Sequence, residues 1–192
     1  MIVNLLKNAC EQKKLVDINI YETENEESVI GYITDISDAC FTIKEIDKFG
    51  NSDGSTIYPI DRIKNISLNN WYLRNLQIII DNHMELDQDS RVSIYKKGIE
   101  LISHFKYLKE NELMTMLFFE EDNYELGFIL DYDEKFVLFK DIGQDGCVLG
   151  TTYYRLNEII GLRYNGLGEQ KTKILYEKYR NIENKANITN EV

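Results

Sequence analysis

The sequence predicts a mainly β fold with flanking helices, in which two small, bent, five-stranded barrels follow one another and each has a leading α-helix. The first observation is an internal repeat: a shift of 96 residues without a gap pairs 11 identical residues over the 39 positions from 31 to 69, where about two or three would match by chance. The second is periodicity, since apolar residues at helical spacing give way to alternation with period two in each half. Twice 96 is the full length of 192, so the repeat accounts for the whole chain.

The repeat also predicts the domain organisation. We expect a first barrel with its flanking helices over residues 1–86, a solvated linker over 87–96, and a second barrel with a C-terminal helix and tail over 97–192. A hydrophobic content of 43% is sufficient for two packed cores of this size.

Each half begins with a short helix and a first strand. Apolar residues recur at helical spacing before a charged stop, at Leu5, Leu6 and Ala9 and again at Leu101, Ile102, Phe105 and Leu108. Alternation then predicts a first strand with one buried face, carried by Ile18 and Ile20 in the first half and by Met114 and Met116 at the equivalent places in the second. Polar turns are expected at 24–27 and 120–123.

The second strand begins at Val29 or Glu125 and contains Gly31 or Gly127. A glycine inside a strand allows either a sharp bend or a close neighbouring backbone, and its repetition favours a bend that curls the sheet into a barrel. The remaining elements are expected at these places in the first and second half: third strands at Cys40–Ile46 and Phe136–Ile142, glycine turns at 50–54 and 146–150, fourth and fifth strands within 56–68 and 152–164, and closing helices at 72–86 and 170–184.

Composition limits the location and the partners. A net charge of −11 at pH 7 opposes nucleic-acid binding and argues against a DNA partner. Cys10, Cys40 and Cys147 are odd in number and widely spaced, which predicts free thiols in a reducing, cytoplasmic compartment. Because no apolar run is long enough for a signal peptide or a membrane span, we expect no membrane association.

Motifs for catalysis and cofactors are not found in the sequence. No phosphate-binding loop, nucleophile elbow or dinucleotide fingerprint occurs, so no cofactor is expected. His83 and His104 have no cysteine at ligand spacing, and no metal site is predicted. Asp131 and Asp133 could be drawn as a paired acid and base, but no histidine, lysine or nucleophile accompanies them in the motif. The sequence therefore predicts that the protein is not an enzyme.

Two stretches, 8–21 and 127–140, resemble a known family, the Sm/LSm superfamily, and within it the bacterial Hfq-like branch most. The Sm1 motif places an aspartate six residues after a glycine, as Gly127 and Asp133 do, whereas the first half has Ser37 there. The Sm2 motif places a basic residue at the end of the fourth strand, which Tyr154 and Arg155 resemble. The first half has Tyr58 and Pro59 at these positions.

The resemblance implies an Sm-like, SH3-like barrel in each half and a surface that contacts RNA or a partner. The candidate residues of that surface are Asp133, Lys135, Tyr154 and Arg155 in the second half and Tyr58 and Arg62 in the first. It also implies assembly through strand edges, with the fourth strand of one barrel pairing with the fifth of the next, either between the two halves or between several chains in a ring.

The chain departs from the family at the residues that read RNA. Val137 and Phe41 stand where Sm proteins hold a base with asparagine, and Leu156 and Ile60 stand where the Hfq-like branch has histidine. Any RNA binding should therefore be weak. The favoured function is a non-catalytic protein-interaction or assembly module that self-associates through strand edges or binds a protein partner, and the alternative is a degenerate RNA-binding protein.

Overall fold

The computed structural model describes residues 1–21, 26–82, 86–87, 90–119 and 123–189, and the chain divides into two compact units, Met1–His83 and Met84–Val192. Each unit contains an antiparallel sheet with helices before and after it in sequence, so the fold is mainly β as expected. Within the described ranges, no helix is both long enough and apolar enough to cross a bilayer. The turns expected at 24–27 and 120–123 fall largely outside the described residues, and His83 lies outside them too.

The first unit is a five-stranded sheet between two helices. Its elements in chain order are α1 (Ile2–Glu11), β1 (Leu15–Tyr21), β2 (Glu26–Ile36), β3 (Cys40–Ile46), β4 (Ser52–Pro59), β5 (Ile63–Leu68) and α2 (Trp71–Asp81). The strand order is β4-β3-β2-β1-β5, and every neighbouring pair is antiparallel.

The second unit repeats this order and adds one strand. Its elements are β6 (Val92–Ile94), α3 (Ile102–Glu110), β7 (Thr115–Phe118), β8 (Tyr124–Tyr132), β9 (Phe136–Ile142), β10 (Val148–Arg155), β11 (Gly161–Tyr164) and α4 (Leu167–Thr189). The order is β10-β9-β8-β7-β11-β6. Strand β6 lies within the segment 87–96 that was expected to be a linker, and it covers the outer side of β11 through antiparallel pairing.

Neither sheet is closed into a barrel, which differs from the expected closed form. The outer strands are β4 and β5 in the first sheet and β10 and β6 in the second, and within the described residues these outer strands do not pair with each other. Helices bury the faces instead: α1 contributes Leu6 and Ala9 to the core on one face, and α2 covers the other face with Leu73 and Leu76. Because both faces are covered in this way, the core forms without the outer strands meeting.

The offset of 96 residues holds only from the second strand onward. Val16 of β1 pairs with Gly31, whereas Thr115 of β7 pairs with Gly127, so the helix and first strand are related by an offset of 99. The first hairpin is therefore three residues shorter in the second unit. The expected equivalence of Ile18 and Ile20 with Met114 and Met116 was wrong, since the residues at equivalent positions are Leu117 and Phe119.

Backbone conformation supports both offsets. Lys13 (φ 48°) and Glu112 (φ 45°) end the leading helices in the left-handed region at an offset of 99, and Asn69 (φ 59°) and Asn165 (φ 57°) precede the closing helices at an offset of 96. Left-handed residues other than glycine are uncommon, so their recurrence at equivalent places marks one backbone plan used twice.

The equivalent core positions differ in side-chain size. On the third strand, Phe41 and Ile43 of the first unit correspond to Val137 and Phe139 of the second, and all four are buried. The aromatic ring is thus displaced by two residues along the same face. In the leading helix the small Ala9 corresponds to Leu108.

The third strands occupy the predicted ranges, and the neighbouring elements differ by several residues. Strands β4 and β10 begin at Ser52 and Val148, inside the stretches expected to be glycine turns. The closing helices run over Trp71–Asp81 and Leu167–Thr189, in place of 72–86 and 170–184.

The glycines inside the second strands lie against a neighbouring backbone. A Cβ added at Gly31 would overlap the carbonyl oxygen of Lys44, and one added at Gly127 would overlap that of Lys140. The register irregularity between the second and third strands comes later, after Ile33 and Ile129. Close approach of the third strand therefore accounts for the glycine in each unit, rather than the bend that the repeat favoured.

Candidate functional site

The structure brings Lys135 and Arg155, two of the residues predicted to form the site, to the same surface pocket. The pocket has a volume of about 360 Å³ and lies at the end of β10 and the turn between β8 and β9. It is lined by Gly98, Ile99, Glu134, Lys135, Arg155, Leu156 and Asn157. We call it the basic pocket, because it contains two cationic side chains and one carboxylate.

Asp133 shapes this pocket without lining it. Its Oδ1 accepts hydrogen bonds from the backbone N–H groups of Lys135 (2.7 Å) and Phe136 (2.8 Å), which close the turn before β9. These two hydrogen bonds hold the pKa of the Asp133 carboxyl below its ordinary value. The Leu156 N–H donates to the Lys135 carbonyl (2.9 Å), so the end of β10 is fixed against the same turn. Asp133 is thus a structural residue of the turn.

Arg155 is positioned by an aromatic ring. Its guanidinium carbon lies 5.1 Å from the centre of the Phe136 ring, within cation–π distance. Lys135 and Glu134 are both exposed beside it. The basic pocket therefore has a small excess of positive charge, which suits one carboxylate or phosphate group better than a nucleic-acid strand.

Tyr154, the residue before Arg155, belongs to a different pocket. Its hydroxyl donates to Oδ1 of Asp141 (2.9 Å), and the Thr152 hydroxyl donates to Oδ2 of the same carboxylate (2.5 Å). Burial, followed by the hydrogen bond to Asp141, raises the pKa of Tyr154 well above its ordinary value. The second pocket, about 270 Å³ in volume, is lined by Phe119, Asn123, Glu125, Tyr154 and Glu158.

The sequence reasoning missed the carboxylate that holds this tyrosine. Asp141 is buried, with 6% of its surface exposed, and its equivalent in the first unit is Glu45. The Tyr58 hydroxyl donates to Glu45 Oε1 over a longer distance of 3.3 Å. The available signal was a carboxylate followed 13 residues later by a tyrosine in both halves. A count of identical residues does not reveal it, because the carboxylate is a glutamate in the first half and an aspartate in the second.

The first unit does not repeat the basic pocket. Ser37 takes over the turn-closing role of Asp133, because its Oγ accepts the Cys40 N–H (3.0 Å). Pro59 replaces Arg155 and has no charge. Arg62, which the resemblance placed with Tyr58, donates instead to the Tyr21 carbonyl at the end of β1 (3.3 Å).

Asp131 and Asp133, considered above as a paired acid and base, are both held as carboxylates. The Lys109 ammonium lies 2.9 Å from Asp131 Oδ1, and this hydrogen bond lowers the pKa of Asp131. A general acid needs a shift in the opposite direction. Within the residues that the structure describes, no cluster of three or more histidine, cysteine or acidic side chains could hold a metal ion.

No protein-family model, no curated protein and no solved structure matches this chain.

Proposed function

We propose that this chain is a non-catalytic, tandem Sm-like protein that acts as a protein-interaction and assembly module. The fold-level support is a strand order of β4-β3-β2-β1-β5 behind a leading helix, used in both units. A fold permits many functions, so the proposal depends on the surfaces that this fold leaves available.

The observation that carries the proposal is the exposed outer strand β10. It is eight residues long, and within the described part of its unit it pairs on one side only, with β9. Leu149 and Tyr153 are 69% and 68% exposed, and Val148 is exposed as well. Unpaired backbone groups next to large apolar side chains are the features that strand-pairing interfaces use.

Strand β10 contains no proline, and the register irregularity of its pairing with β9 lies between Val148 and Gly150. Proline and inward-pointing charges block pairing of an outer strand, yet Arg155 at its end is the one charged residue of β10. The equivalent strand β4 of the first unit ends at Pro59 and exposes Ile57. We therefore assign the main assembly edge to β10 of the second unit, with a second copy of the chain as its partner.

Light scattering across a tenfold concentration range tests this assignment. The apparent mass of the parent protein should rise with concentration, and Leu149→Lys or Tyr153→Lys should reduce it toward the monomer, because a charge is then desolvated at the edge. Ile182→Lys, at an exposed apolar residue of α4, is the matched control and should leave association unchanged. A strict monomer at every concentration would contradict self-association through this edge.

The second candidate function is degenerate RNA binding, and the basic pocket is the observation that favours it. Lys135 and Arg155 supply two cations near the Phe136 ring. Against it, Val137 and Phe41, which stand where Sm proteins hold a base with asparagine, are buried in the cores and unavailable to a nucleotide. RNA binding therefore ranks below protein interaction.

A further inference from the structure

A cleft on the second unit has a lining unlike that of the basic pocket. It lies between the face of β8 and β9, the end of α3 and the middle turns of α4, and it has a volume of about 310 Å³. Its floor is apolar: Leu108, Phe128, Ile129 and Tyr176 are all buried, and the rings of Phe128 and Tyr176 lie 5.1 Å apart. We call it the α4 cleft. Its volume is at the lower end of the range for small-molecule pockets, too small for a peptide.

The walls of the α4 cleft are positively charged. Four basic side chains line it against two carboxylates, in a chain whose net charge is −11; the basic residues are Lys109, Lys140, Lys173 and Arg180, and the acidic ones are Glu112 and Glu177. Positive charge collected in a cleft of an acidic protein favours an anionic ligand.

Two of these cations are already engaged within the protein. Lys109 pairs with Asp131 at 2.9 Å, and Lys173 lies 3.8 Å from the Glu177 carboxylate and donates to the Glu112 carbonyl at 3.1 Å. These contacts fix the rim of the cleft.

The other two cations remain for a ligand. Lys140 Nζ donates a long hydrogen bond (3.4 Å) to the Tyr176 hydroxyl and lies 5.8 Å from the centre of the same ring, beside the apolar floor. Arg180 stands exposed at the rim. Among the described residues, no carboxylate lies within 4.0 Å of either cationic group.

The first unit shows that the fold does not require this charge. The positions equivalent to Lys109 and Lys173 are occupied by Cys10 and Gln77, whereas Lys140 has a basic equivalent, Lys44. In the first unit, the Tyr32 hydroxyl donates to Gln77 Oε1 (2.9 Å), a neutral contact at this place. Lys109 and Lys173 are thus cations of the second unit that have neutral equivalents in the first.

From this arrangement we infer that the α4 cleft binds a small organic anion with an apolar body. The body, an aromatic ring or a branched aliphatic group, packs on Phe128 and Tyr176. The head, a carboxylate, phosphate or sulfonate, is held between Lys140 and Arg180 by charge-assisted hydrogen bonds. The site is separate from β10 and from the basic pocket, so it stands independently of the assembly role.

A fluorescence titration of the full chain with the aromatic sulfonate 8-anilinonaphthalene-1-sulfonate tests the site. We expect saturable binding with one site per chain, weakened about tenfold by Lys140→Met and by Arg180→Gln, since the loss of one charge-assisted contact is worth about that factor. The uncharged analogue N-phenyl-1-naphthylamine, which has the same rings, should bind at least about tenfold more weakly. Added salt should weaken binding of the sulfonate and leave binding of the uncharged analogue unchanged.

The controls separate an anion site from general apolar binding. Lys44→Met, the same substitution at the equivalent place in the first unit, should leave the affinity unchanged, and Lys140→Arg should preserve it. Arg180→Gln changes an exposed side chain, so it keeps the test valid if Lys140→Met unfolds. Equal binding of the charged and uncharged probes, or full affinity in Arg180→Gln, would overturn the proposal.

Discussion

Glu125 stands where the first unit has a buried valine, Val29, and it faces the pocket that contains Tyr154. Burial, and after it the nearby Asp141 carboxylate, raises the pKa of Glu125 above its ordinary value of 4.5. The folded protein thus holds two carboxylates close together in a partly desolvated place. The charge on Glu125 opposes folding at neutral pH.

Replacing Glu125 by glutamine should therefore stabilise the protein in a pH-dependent way. The pKa of Glu125 is higher in the folded state than in the unfolded state. Well below pH 4.5 the carboxyl is protonated in both states, so its charge does not affect the free energy of unfolding. Once the pH exceeds the folded-state pKa, the charge destabilises the folded state by its full amount. We expect a higher melting temperature for Glu125→Gln at pH 7 and no difference near pH 3. Thermal denaturation at intervals of pH measures this, with Glu158→Gln, on the same pocket, as the control for removing a surface charge. An equal gain at both pH values would show that charge is not the cause.

The candidate site was predictable from the sequence in part. Lys135 and Arg155 were both named as candidates, because the resemblance assigns contacts to the turn after the Sm1 aspartate and to the end of the fourth strand, and both line one pocket. Asp141 was not named, because burial of a carboxylate depends on the hydroxyl groups of Thr152 and Tyr154 that the pairing of β9 with β10 brings to it. The available sign in the sequence is the tyrosine that follows a carboxylate by 13 residues in each half.

At the scale of elements, the contact between the second and third strands is the most constrained part of each sheet. The carbonyl oxygens of Lys44 and Lys140 lie over the Cα atoms of Gly31 and Gly127, where even a methyl group would overlap backbone atoms. A backbone carbonyl in a sheet cannot move without breaking its ladder hydrogen bonds. The strands must separate if a side chain is introduced.

We predict that Gly127→Ala destabilises the protein by about 1–3 kcal/mol, and Gly127→Val by at least as much. Gly168→Ala is the matched control: it lies in α4 with open space around its Cα, and alanine is the better helix former, so stability should stay equal or rise by up to about 1 kcal/mol. Urea unfolding of the three variants measures the difference. Unchanged stability in Gly127→Ala would show that the strands can separate at no cost.

Sequence periodicity predicted the elements unequally. The third strands were predicted with their observed bounds, and buried residues alternate with half-buried ones along the first part of each. The first strand of the second unit was placed three residues out of register. The identical residues that define the repeat begin at Gly31, after the first hairpin, so they do not show that this hairpin differs in length between the units. Strand β6 was missed because three residues are too few for a periodic signal, and its pairing with β11 is long-range.

At the scale of the whole molecule, net charge limits how tightly the protein binds a polyanion such as RNA. The chain carries −11, and the basic pocket has two cations beside the Glu134 carboxylate. Phosphate contacts supply most of the affinity of non-specific RNA binding, and each contact adds to its salt dependence. Long-range repulsion therefore acts against the few cations available.

Short uridine- or adenine-rich RNA should bind no more tightly than roughly 10⁻⁴–10⁻⁶ M at physiological salt, and the affinity should fall steeply as salt is added. Fluorescence anisotropy with labelled oligonucleotides measures both. Arg155→Ala should weaken what binding there is, and Pro59→Ala, at the equivalent place in the first unit, should not. Nanomolar binding that depends on sequence and is lost in Arg155→Ala would instead establish RNA as the ligand.

The different core residues of the two units also bear on how the chain reaches its native state. Tandem copies of one topology risk domain swapping, in which a segment of one copy completes the core of the other. Exchange of the leading helices would put Leu108 where Ala9 fits, overpacking one core by about 1–3 kcal/mol, and would leave a cavity in the other at a cost of about 2–5 kcal/mol. Exchange of the third strands would likewise misplace an aromatic ring by two residues. Each core therefore packs best with segments of its own unit. Because the first unit does not need segments of the second, it can complete its fold during synthesis before the second unit leaves the ribosome.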